Sequence, residues 1–149
     1  ALLNDAASLK VAEMAMTFEE LLARDKPKIP LQKATGKALL HGHCHQKAFD
    51  AVQPIEEVLS WIGGLEVTSI ETSCCGMAGA FGYGAGTYEI SMQMANANLL
   101  PAVRKVGPDH IVIADGTSCR CQIKDGANRT AKHVALVLDS YLKNTDETQ

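Results

Sequence analysis

"LEVTSIETSCCGMAGAFGYGAG", residues 65–86, is the stretch whose reading decides the fold. Its first part alternates Leu65, Val67 and Ser69 against Glu66, Thr68 and Ile70. That two-residue period predicts a strand over 65–71. The strand gives way to adjacent cysteines, Cys74 and Cys75, and then to Gly76, Gly79, Gly82, Gly84 and Gly86. Outward from there, "KALLHGH" (37–43) reads as a short buried strand running into Cys44, and "HIVIA" (110–114) as a third running towards Cys119 and Cys121. Helical patterns separate the strands. Pro54 opens a helix that carries Val58 and Leu59 and stops at Gly63 and Gly64. A helix is expected from about Thr87 to Val106, bent at Pro101. The last is expected from Asn128 as its N-cap, burying Val134, Leu138 and Tyr141. Ahead of all these, Val11, Met14, Phe18, Leu21 and Leu22 mark a helix within 2–24, ended by the prolines of "RDKPKIP" (24–30).

Strands alternating with helices predict the α/β class: a small, mostly parallel sheet flanked by helices. In open sheets of this kind the ligand site lies beyond the carboxyl ends of the strands. All five cysteines follow a predicted strand and none falls in a predicted helix. The fold is therefore expected to gather them at one rim, although 30 residues separate Cys44 from Cys74 and 44 separate Cys75 from Cys119.

The totals narrow the function classes. The chain has 149 residues, 46% hydrophobic and 21% charged, which suits one globular domain. Its net charge of -3 and lack of a Lys/Arg cluster argue against nucleic acid. No apolar run reaches the roughly 18–20 residues of a membrane span, and no signal peptide opens the chain. With five cysteines, an odd number, a cytoplasmic setting with metal or redox thiols is the expectation rather than a disulfide framework. We divide the chain into an N-terminal helix and linker (1–30), a cysteine-rich domain (31–143) and a flexible tail (144–149). An opening Ala in place of Met suggests a domain excised from a longer protein.

Three chemistries compete for the adjacent cysteines. A disulfide between neighbours is strained, since Cα atoms about 3.8 Å apart fall short of the roughly 4.4–6.8 Å that disulfides prefer. Two buried thiols acting as small hydrophobes are a fair default for any single cysteine. Metal is the third. Thiolates select iron–sulfur clusters or zinc, and a cluster lets neighbouring thiolates bind different irons. A cluster with its thiolates is anionic and wants backbone N–H groups close by, which residues without a Cβ permit. Gly76 and Gly79 head that run. His43 and His45 flank Cys44 as candidate donors to such a centre, and Arg120, between Cys119 and Cys121, as a charge balance. His41 and His133 also lie near these motifs; a lone histidine at a strand end is more often structural. Glu71, Asp115 and Lys47 are near too, without forming an obvious acid–base couple.

"HGHCHQKA", "SCCGMAGAFGY", "YEISMQMA…LLPAVR" and "ADGTSCRCQI" together resemble the cysteine-rich CCG domain. That domain occurs in the iron–sulfur subunit of glycolate oxidase, in heterodisulfide reductase, and at the C-terminal end of fused FAD/iron–sulfur D-2-hydroxy acid dehydrogenases. The resemblance implies an electron-transfer domain whose iron–sulfur cluster, a 4Fe-4S group of cubane or noncubane type, is held by Cys44, Cys74, Cys75, Cys119 and Cys121. It implies FAD-binding and ferredoxin-like domains elsewhere in the parent flavoprotein, an electron acceptor, and a cytoplasmic place, at most peripheral to the inner membrane. The family's last element is usually Cys-x-x-Cys; this chain has Cys119-Arg120-Cys121, one residue shorter. A four-cysteine cubane with Cys121 spare stays open, as do a zinc-stapled docking module and, more weakly, a thiol–disulfide domain.

Overall fold

The computed structural model describes residues 5–71 and 74–143. The tail expected over 144–149 lies outside the described residues. Four strands form one sheet: β1 (Gly36–His41), β2 (Leu65–Ser69), β3 (Ile111–Ala114) and β4 (Ala131–Lys132). Their order is β2-β1-β3-β4, and every pairing is parallel. After β2 the chain crosses β1 and continues on its other side. The switch point of the sheet therefore lies between β1 and β3, where a crevice opens beyond the strand ends.

Eight helices accompany the sheet among the described residues: α1 (Ala6–Met14), α2 (Phe18–Asp25), α3 (Cys44–Ala48), α4 (Gln53–Ser60), α5 (Tyr88–Ala97), α6 (Leu99–Lys105), α7 (Thr117–Ala127) and α8 (Val134–Ser140). The alternation of β1 sorts the core into two faces. Ala38 and Leu40 point into one layer with Ile55, Val58 and Leu59 of α4 and Val134, Val137 and Leu138 of α8. Leu39 points into the other, with Leu99 and Val103 of α6, Val112 of β3 and Ile123 of α7. Cys75, Met77 and Cys119 belong to this second layer. The α/β class and the parallel sheet flanked by helices are as the sequence predicts.

Several boundaries differ from expectation, each for a local reason. The helix expected within 2–24 is two helices. Thr17 caps α2, accepting from the Glu20 N–H while the Glu20 carboxylate accepts from the Thr17 N–H, so the chain restarts there. Val11 and Met14 of α1 are largely exposed rather than a buried stripe. The helix expected over 87–106 breaks at Asn98 (φ -147, ψ -45), and Pro101 sits in the first turn of α6 instead of bending a continuous helix. Asn128 caps no N-terminus. It ends α7 in the left-handed conformation (φ 51, ψ 37), and His133 is the N-cap of α8. The α7 helix itself went unpredicted. It carries Cys119 and Cys121, while Cys44 opens α3, so three of the five cysteines lie in helices. The reason is that β1 and β3 pass into helices within two residues.

Candidate metal centre

Cys44 is the first residue of α3, three residues beyond the end of β1. Cys74 and Cys75 lie past β2, on the loop that reaches a short 3-10 turn at Phe81–Tyr83. Cys119 sits in the first turn of α7, beyond β3. The switch point brings these four together as two pairs. The Cys44 Sγ lies 3.3 Å from the Cys74 Sγ, and the Cys119 Sγ lies 3.2 Å from the Cys75 Sγ. Among the described residues no three thiols come mutually within 4.8 Å. Cys75 and Cys119 are buried, Cys74 is half-buried and Cys44 is exposed, so the centre runs from the core to the surface.

Cys121 stands apart. Two residues along an α-helix turn through about 200°, and Cys121 faces the Tyr83 hydroxyl across a cavity shared with Arg120, Lys124 and Asp125. The sulfur–sulfur contacts thus join four of the five expected cysteines, and Cys121 contacts Tyr83 instead. Arg120 does not sit over the sulfurs either. Its guanidinium donates to the carbonyls of Ala114 (3.1 Å) and Asp115 (2.5 Å) and to the Thr117 hydroxyl, tying the end of β3 to α7.

The glycines divide. Gly76 has φ +81, and a Cβ there would fall on the Ser91 carbonyl of α5. That glycine lets the CCG turn press onto α5 and leaves its N–H donating to the Cys74 sulfur at 3.3 Å. Ser91 is in turn held by the buried Gln122 amide of α7 (3.1 Å). Gly79 has φ +71 with open space beside it, so it serves the turn and approaches nothing. Gly116 went unnoticed in the sequence. A Cβ on it would meet the His43 ring at 2.5 Å and the Cys119 sulfur at 3.0 Å.

His43 caps α3, its Nδ1 accepting from the His45 N–H (3.3 Å), and the two rings stack at 5.5 Å. The histidine that reaches the thiols is a different one. His41 ends β1 on the face that holds Cys75 and Cys119, is 1% exposed, and neither of its ring nitrogens has a well-formed hydrogen bond. The Cys119 thiol donating to Cys75 is the main cause that holds the Cys75 thiol well below its ordinary pKa. His41 and the Met77 N–H act in the same direction. The same pairing, with burial, drives Cys119 upward. Burial first, then Cys74, pushes Cys44 up to about 11. A second grouping of donors, Glu19, Asp115 and His133, lies at the same rim.

This arrangement fits a bulky, anionic, thiolate-bound group. Four thiols converge, backbone N–H groups point at two of the sulfurs, and a buried imidazole is left without a hydrogen bond beside them.

The chain is 30% identical over 114 residues to one subunit of the anaerobic glycerol-3-phosphate dehydrogenase of Escherichia coli, covering 76% of this chain and 28% of that subunit. It is 30% identical over 110 residues to the D-2-hydroxyglutarate dehydrogenase of Pseudomonas putida (72% of this chain, 10% of that one). With the corresponding enzyme of Haemophilus influenzae it shares 29% over 106 residues (70% and 10%). No protein-family model and no solved structure matches the chain. Over about three quarters of its length, the chain is thus related to one segment of much longer dehydrogenase polypeptides.

Proposed function

We propose that this chain is the iron–sulfur, electron-transfer domain of a flavin-linked oxidoreductase, of the D-2-hydroxy acid dehydrogenase or glycolate oxidase type. The observation that carries the proposal is the meeting of Cys44, Cys74, Cys75 and Cys119 at the sheet's switch point from three separate segments. Adjacent thiolates such as Cys74 and Cys75 suit a group that offers several metal positions, since each can bind a different one.

Those four cysteines would hold the cluster, which once bound would supply a one-electron carrier. The chain's other groups set its surroundings. The N–H groups of Gly76 and Met77 are directed at thiolate sulfur, which favours the charged form. His41 places a buried imidazole beside Cys75, and the apolar layer of Met77, Leu99 and Ile123 keeps water from that side. Cys44 leaves the site one exposed edge. FAD-binding and ferredoxin-like domains would lie elsewhere in the parent polypeptide, with organic substrate oxidised there. Cys121 remains outside the ligand set.

Anaerobic reconstitution with iron and sulfide tests the reading. A brown protein with absorbance near roughly 400 nm is expected, as thiolate-to-iron charge transfer requires. A colourless product without iron that takes up zinc through the same cysteines would replace the cluster with the docking-module reading.

A further inference from the structure

Glu19, Asp115 and His133 come from the first turn of α2, the residue after β3 and the N-cap of α8. One ligand atom from each lies within 4.8 Å of the other two. Carboxylates often gather at a surface without holding anything, but here one of them is in the core. Glu19 is 2% exposed and its Oε1 has no hydrogen-bond partner. A buried, unpaired carboxylate oxygen is costly, and a second carboxylate beside it adds repulsion. Burial above all, then Asp115, pushes the Glu19 carboxyl upward against the pull of His133.

Asp115 is already fixed in place: it accepts from the Val134 N–H (2.9 Å) and the Gln46 amide (3.0 Å), and its side chain is 7% exposed. The Nδ1 of His133 accepts from the Ala135 N–H (3.1 Å) and lies 3.6 Å from Asp115 Oδ1; a neutral imidazole has one ring lone pair, so a cation would take it in place of the Ala135 N–H. The three residues border a cavity of about 360 Å³ whose other walls include Thr17, His43 and Gly116, so an ion and its waters have room and a way in from solvent.

We propose that Glu19, Asp115 and His133 form a second metal site, for a hydrated divalent cation of the Mn2+ class, distinct from the thiols. Two carboxylates and one imidazole are hard-to-borderline donors, unlike the thiolates next door, and their two negative charges match one divalent ion. The site staples α2 to the β3 exit and the start of α8. The proposal does not depend on what the cysteines bind.

The test is a Mn2+ titration of the intact chain, followed by loss of the free-ion EPR signal. One Mn2+ per chain is expected, with Cys75→Ser binding as the wild type does. Glu19→Gln and His133→Asn should each weaken uptake by about tenfold or more; the Asn keeps an N-cap acceptor for the Ala135 N–H. Wild-type protein that leaves Mn2+ free up to about 1 mM, or variants that bind it equally well, would overturn the site. Should both variants fail to fold, the wild type still decides. Spin-echo spectra of bound Mn2+ must show coupling to one imidazole nitrogen, and no coupling sinks the proposal.

Discussion

The Cys119 thiol donates to the Cys75 sulfur at 3.2 Å inside the second core layer, where Cys75 is 2% exposed and Cys119 fully buried. Substituting either leaves the partner sulfur without that contact. Cys75→Ser and Cys119→Ser are therefore expected to lower iron per chain after anaerobic reconstitution at least tenfold, taking the loss of a direct ligand to exceed that of an outer contact. Cys121→Ser should load as the wild type does, because its side chain faces Tyr83; an equal loss there would show that the centre needs all five thiols. His41 gives a second prediction. Its ring is the buried polar group beside Cys75, and a polar neighbour of a thiolate favours the reduced, more negative state of the site. In His41→Leu the loaded protein should show a lower reduction potential, by on the order of 60 mV, the shift that about 1.4 kcal/mol gives for a one-electron couple. An unchanged potential would remove His41 from the centre. In the sequence nothing separates His41 from His43 or His45. Only the alternation of β1, read together with which face carries Cys75 and Cys119, singles it out.

The α7 helix shows where the sequence stops being legible among the elements. "TSCRCQIKDGA" buries Cys119, Gln122 and Ile123, so only one of its three core positions is an ordinary aliphatic, and its hydrophobic period is faint. By contrast, the Ala-Leu-Leu run of β1 and the Val58 and Leu59 of α4 lie fully in the core and announce themselves. Thr17 and Glu20 did carry a readable capping signal, outweighed by an apparent stripe that α1 leaves in solvent. Two predictions belong at this scale. Asn128 ends α7 with φ 51, a conformation that costs a residue with a Cβ about 1 kcal/mol unless its side chain compensates. Urea unfolding should place Asn128→Ala about 1 kcal/mol below the wild type, with Asn128→Gly close to neutral; equal values for both would deny the left-handed cap its role. None of the residues of α1 is buried. Removing residues 1–15 should accordingly shift the thermal midpoint by no more than about 2–4 °C, the effect of roughly 1 kcal/mol at this size.

At the scale of the whole molecule, the four thiols converge only because the parallel order β2-β1-β3-β4 holds three loops at one rim. Unfolded, those sulfurs are separated by 30 and 44 residues of chain and form no common site. A group bound by the folded rim alone must therefore stabilise the entire fold, since it has no comparable affinity for the unfolded chain. At roughly a thousandfold excess over its dissociation constant the stabilisation is about 4 kcal/mol. For a chain near this length that corresponds to a rise in thermal midpoint of roughly 8–16 °C. Anaerobic melts followed by circular dichroism should show that rise on loading, and a chelator should reverse it. Cys121→Ser should keep the full rise and Cys75→Ser should show none. Iron that binds without moving the midpoint would be held by groups that do not join β1, β2 and β3, and the switch-point centre would be the wrong location for it.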